Sequence, residues 1–136
     1  VFFAPHLTQR YWLPTDMDPA NLASIAAWRE EADAANLLPP RQLDVRDPVW
    51  AIDCDLPAPV SAIVNINMLL ISPWSCCEAL FAGAAETLNQ RAVVTLYGPF
   101  KRDGVHTADG EWASVKRTPC AASLSILGVG IFESGL

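Results

Sequence analysis

Residues 60–97 constrain the fold of this 136-residue chain more than any other stretch. "VSAIVNIN" is a nearly continuous apolar run, which suits a strand covered on both faces. "SPWSCCEALFAGAAETL" opens on the Ser72-Pro73 pair, a cap-plus-proline helix start. It carries Cys77, Leu80, Phe81, Ala84 and Leu88 on one helical face. "RAVVTLYGPF" reads as a second buried strand, ended by Gly98 and Pro99. Strand, helix, strand in that order implies parallel strands joined by a right-handed crossover.

The preceding half repeats the pattern. "RYWLPT" is an aromatic-rich strand candidate, with Pro14 placing its end near the edge of the sheet. Asp18 and Pro19 start a helix, and Leu22, Ile25, Trp28 and Ala32 recur on one face, Trp28 being read as core. Asn36 and the pair Pro39-Pro40 stop it. "RQLDV" is the next strand candidate, and 46–59 is a loop rich in proline and aspartate. "VFFAPHL" reads as the end of a helix. Beyond Thr107 no helical face is legible, and "SLSILGVGIF" is a candidate strand. The whole predicts an α/β fold with a doubly wound, mostly parallel sheet.

A net charge of −6 argues against non-specific nucleic-acid binding, which needs a basic surface to release counterions. The composition is half hydrophobic and globular. No apolar stretch reaches the roughly 20 residues that cross a bilayer, and no signal peptide is legible. Cys54, Cys76, Cys77 and Cys120 lack a C-x-x-C spacing and read as reduced thiols of a cytoplasmic protein. His6 and His106 are isolated and have no metal-ligand spacing.

In open α/β sheets ligands bind outside the carboxyl ends of the strands, so the residues of interest are Asp16, Asp44, Asn67 and the Tyr97-Gly98-Pro99 turn. An ionised carboxylate at a strand end accepts both hydroxyl protons of a ribose, and Asp16 is so placed. The competing reading of Asp16 is a second turn or capping residue beside Asp18. Asp44 at the next strand exit adds an acceptor for an adenine amino group or a ribose. Paired acids at successive strand ends favour an adenosine-type ligand. In nucleotide-binding α/β units the glycine-rich loop precedes the ribose acid by about 20 residues. Counted back from Asp16, that position falls just before Val1. "YGPFKRDG" reads either as a surface turn or as a substrate lip, Tyr97, Gly98, Pro99 and Phe100 being its candidate substrate contacts.

"PTDMDP", "LDV", "INMLLISPW", "LFAGAAETL" and "LYGPFKRDGVHTA" resemble the sequence blocks of a class I S-adenosylmethionine-dependent methyltransferase-like family, the methyltransferase-like protein 26 group. The likeness covers 1–107, leaving 108–136 as a divergent or weakly structured tail. It implies a Rossmann-like, seven-stranded sheet and S-adenosylmethionine as cofactor. Asp16 with Met17 would hold the ribose, Asp44 with Val45 would flank the adenine, and Asn67 with Met68 would line the pocket of the methionine end. No catalytic base follows from the likeness. The family's first strand and glycine loop would precede Val1, Leu70 stands where its members have His, and the tail departs from its closing strands. The chain is therefore expected to be a fragment, with a tail that is divergent or read in a shifted frame.

Three functions follow as expectations. The first is methyl transfer to an unknown small-molecule or protein acceptor, with weak or no cofactor binding by this chain. The second is a nicotinamide-dependent Rossmann oxidoreductase, which Asp16 fits equally well. The third is a non-catalytic interaction module, self-associating through an exposed sheet edge.

Overall fold

A computed structural model describes residues 3–52, 54, 56–88 and 92–98, together with the backbone of strands at 101–102, 105–106 and 126–132. A 3-10 turn, Ala4–His6, leads into β1, Arg10–Asp16. Helix α1, Pro19–Ala32, follows. Next come the short β2, Arg41–Gln42, and a loop to β3, Ala62–Ile66. A single helical turn α2, Met68–Ile71, precedes α3, Trp74–Thr87, and then β4, Val93–Tyr97. β5, Lys101–Arg102, and β6, Val105–His106, pair with each other, and β7 spans Ile126–Phe132.

The fold is mixed α/β. Its main sheet has the order β2-β1-β7-β3-β4. β1 pairs parallel to β2, and β3 parallel to β4. β7 lies between these two units and runs antiparallel to both. Four of the five strands therefore run the same way and β7 alone opposes them, so the sheet is mostly parallel. Crossover helices enforce parallel pairing for β1–β2 and β3–β4, but β7 follows no crossover from either neighbour and is free to enter in the opposite sense.

Asp18 starts α1 as expected: its side chain accepts from the Ala20 N–H at 2.9 Å. Asp33, at φ 45°, ends the helix three residues before Asn36. Trp28 is not core but 59% exposed. The half-buried positions are Asn21, Leu22, Ile25, Ala26, Arg29 and Ala32. Arg29 turns inward because its Nε donates to the Leu37 carbonyl at 2.7 Å, and the 100° step between neighbours turns Trp28 out.

Pro14 is buried inside the sheet, not near its edge. In a strand, residues two apart direct their N–H groups to the same side. Trp12 donates to the Asn36 carbonyl, so the donor that Pro14 lacks would face that same side, near Leu38, whose own N–H donates to the Trp12 carbonyl. The missing N–H therefore faces away from β7 and leaves the β1–β7 ladder whole.

The core has two parts. On one face Leu13 and Ile63 pack with Leu80 and Ala84 of α3 and with Leu43, Val45, Trp50, Ile52 and Val60 of the long loop. On the other, Trp12 packs with Ala4 and Leu37, and Ala32 of α1 lies against this cluster. The two crossover helices thus cover opposite faces. The loop docks on α3 where Gly83 leaves room for Trp50: a Cβ at Gly83 would stand 2.2 Å from the indole Cε2.

α3 also departs from expectation. Ser72 and Pro73 supply no side-chain cap, because Ser72 instead closes α2, donating its N–H to the Met68 carbonyl at 3.1 Å. Cys76, Cys77, Leu80 and Ala84 are buried, while Phe81 is largely exposed. Exposed and half-buried residues alternate along β4, so one of its faces is uncovered, and among the described residues no strand pairs with its outer edge.

Candidate site at the carboxyl edge of the sheet

β1, β2, β3 and β4 end on one edge, and β7 begins there. Thr15 and Asn65 are both in register with Leu127, and Ile66 with Ile126. The N-terminal end of β7 therefore sits between the last residues of β1 and β3.

Asp16 ends β1 with only 4% of its surface exposed. Its Oδ1 accepts from the Asp18 N–H at 2.8 Å and its Oδ2 from Asn21 Nδ2 at 3.3 Å. These bonds fix the carboxylate against the start of α1. Each oxygen keeps lone-pair capacity for another donor. Met17 is exposed, and its carbonyl accepts from Gln42 Nε2 at 3.1 Å. The two aspartates of "TDMD" thus divide the work, Asp18 capping α1 from the surface and Asp16 lying buried beside it.

Asp44 is on the same edge, since the Leu43 N–H donates to the Asp16 carbonyl at 2.9 Å. Its carboxylate is engaged by Arg46, through Nε to Oδ1 at 2.9 Å and Nη2 to Oδ2 at 2.6 Å. The Arg46 N–H adds a bond to Oδ1 at 3.0 Å. Hydrogen bonding to Arg46 holds the Asp44 carboxyl below the usual carboxylate range. Val45 is buried in the core, and its carbonyl accepts from Trp50 Nε1 at 3.2 Å. Val45 therefore faces inward and serves the core.

Across β7, Asn67 leaves β3 in a left-handed conformation, φ 61°, which asparagine tolerates better than most residues. Its N–H donates to the Tyr97 carbonyl at 2.9 Å, tying the exits of β3 and β4 together. Gly98 completes the junction: a Cβ there would stand 2.8 Å from Leu70 Cδ1 and 3.4 Å from Asn67 Oδ1. Met68 is buried and its sulfur accepts from Asn65 Nδ2 at 3.5 Å. Tyr97 is exposed. Pro99 and Phe100 lie outside the described residues.

The edge thus gathers two groups, Asp16 with Asp44 and Asn67 with Gly98, one on each side of β7. Sequence reasoning missed Asn21, Arg46 and Asn65. The D-x-R spacing of Asp44 and Arg46 was the one local signal, whereas Asn21 is marked only by standing five residues after Asp16. Asn65 is fully buried, and among the described residues its Oδ1 has no hydrogen-bond partner.

No solved structure matches the chain. The family described as "Protein of unknown function (DUF938)" matches residues 1–114. That span takes in every described element but β7, and the chain belongs to this family.

Proposed function

We propose that the carboxyl edge beside Asp16 is a nucleoside site, and that the domain is of the Rossmann-like, S-adenosylmethionine-dependent methyltransferase type. The observation that carries this reading is the placement of Asp16. From β1 the chain crosses by α1 to β2, and from β3 by α3 to β4, in opposite directions and on opposite faces. Such divergence makes a topological switch point, the usual ligand crevice of α/β sheets. A buried carboxylate, oriented by Asp18 and Asn21, stands at its border.

The two halves of the cofactor fit unequally. Asp16 suits a ribose diol, its remaining lone pairs accepting two hydroxyl protons. Asp44 is already held by Arg46, so adenine recognition there would use the exposed edge of that ion pair. The methionine half does not fit. The G-x-G of Gly128 and Gly130 lies within the antiparallel β7, not in a turn feeding a helix N-terminus. When bound, the cofactor supplies an electrophilic methyl group, and the protein's part is to orient an acceptor, a small molecule or a protein, in line with it.

The same misfit favours a second reading, a binding module that keeps the fold without the chemistry. The half-exposed edge strand β4 supports it, as a site of self-association. Backbone NMR titration with adenosine and with S-adenosylhomocysteine separates the two. A nucleoside site predicts shifts at 16–21 with both ligands, and an interaction module predicts none.

A further inference from the structure

The carboxyl edge of the sheet is chemically divided. Asp16, Asp44 and Arg46 put charge on its β1–β2 side. On the β3–β4 side the chain has no charged residue from Leu56 to Cys77, a span that takes in β3, α2 and the head of α3.

This uncharged side nevertheless meets water. Leu70, Ile71, Trp74 and Tyr97 are exposed there, Trp74 by 73% and Tyr97 by 67%. The backbone brings all four to one edge. α2 follows the end of β3, α3 crosses from that end towards the start of β4, and Tyr97 is the last residue of β4. Leu70 lies over Gly98, and the Asn67 N–H ties the same junction to the Tyr97 carbonyl. Singly exposed apolar residues are ordinary, as with Trp28 among Arg29, Glu30 and Glu31. A group of them beside a polar crevice marks a binding surface.

β1 and β3 are two strand spacings apart, about 10 Å. A nucleoside anchored at Asp16 thus has the ends of β3 and β4 within the reach of one small molecule. An ion set against these side chains loses its hydration and gains no partner. A flat ring gains most, because the Trp74 indole and the Tyr97 phenol both offer faces for stacking.

We propose that the β3–β4 side of the edge binds an uncharged aromatic small molecule, with Leu70, Trp74 and Tyr97 as its contacts. It rests on the nucleoside reading, which makes this rim the neighbouring subsite of one crevice.

Backbone NMR of the full chain is followed with 2-naphthol and with 2-naphthalenesulfonate, which keeps the ring and adds a charge. The expected result is saturable shifts at 67–74 and 97–98 with 2-naphthol, and binding of the sulfonate weaker by about tenfold or more. Trp74→Ala is expected to weaken 2-naphthol about tenfold, and Trp28→Ala to leave it unchanged. The proposal is overturned if the two probes bind alike, if 2-naphthol shifts Trp28 and Phe81 as much as the rim, or if Trp74→Ala has no effect. Rim shifts that grow with protein concentration alone would assign the surface to a second copy and overturn it as well. Adenosine is titrated separately and read at 16–21. Its shifts without 2-naphthol binding overturn only the aromatic subsite, whereas saturable 2-naphthol binding without them supports the rim and overturns the nucleoside reading.

Discussion

Thr15 and Asn65 stand opposite the same residue, Leu127, one on each side of β7, and both are fully buried. They mark the width of a single strand at the centre of the sheet, and they lie on the face that Leu13 and Ile63 share. Asn65 is the weaker of the two positions, its Oδ1 being unpartnered among the described residues.

That orphan predicts an unusual gain. A buried unsatisfied acceptor costs about 1–3 kcal/mol, and a β-branched residue suits a strand. Asn65→Val is expected to raise stability by about 1 kcal/mol in urea unfolding. A loss of that size would mean the amide has a partner that stabilises it.

Gly83 and Trp50 give the opposite case. A methyl group at 83 would overlap the indole, so Gly83→Ala must displace Trp50 and the loop it anchors. Overpacking of this kind costs about 1–3 kcal/mol. An unchanged urea midpoint would show that the loop does not dock there.

Asp44 and Arg46 make a pH-dependent contribution. The folded-state pKa of Asp44 is depressed, so its contribution is fully present above the unfolded value of about 3.9 and is lost as pH falls through the folded pKa. Arg46→Ala is expected to lower stability slightly at neutral pH and not at all at the acid end of the transition. Because Arg46 is exposed, added salt should shrink the difference. A difference that persists below the folded pKa would assign it to something other than this ion pair.

The β4 edge predicts a change in association alone. Thr95 is exposed on that strand, and a lysine there places a charge on an unprotected edge. Thr95→Lys is expected to suppress concentration-dependent self-association in light scattering while leaving the urea midpoint unchanged. Association that persists in the variant would place it on another surface.

The parts of this fold set by local chemistry were legible in the sequence. Asp18 and Pro19 open a helix wherever they stand, and the apolar run at β3 matches a strand covered on both sides. What failed depended on distant partners. "VVTLY" has the composition of a buried strand, yet the outer edge of β4 is unpaired among the described residues. Trp28 follows the helical spacing of a core residue, but the Arg29 bond to Leu37 rotates it outward. The central place of β7 leaves no local trace, since register with β1 and β3 is decided in space. At the site, Asp16 was found by its position at a strand exit. The partners that orient it and Asp44 became visible only in three dimensions.

Asp16→Asn combined with ligand titration bears most directly on the nucleoside site. Asparagine at 16 can still accept from the Asp18 N–H, so the fold is expected to survive with a stability change under about 1 kcal/mol. In the parent chain, adenosine and S-adenosylhomocysteine should bind with similar affinity, near about 1 mM or ~4 kcal/mol, with backbone shifts at 16–21 that Asp16→Asn abolishes. Absence of shifts with both ligands would contradict the nucleoside site. Micromolar binding of S-adenosylhomocysteine would contradict the claim that β7 leaves its amino-acid half unheld.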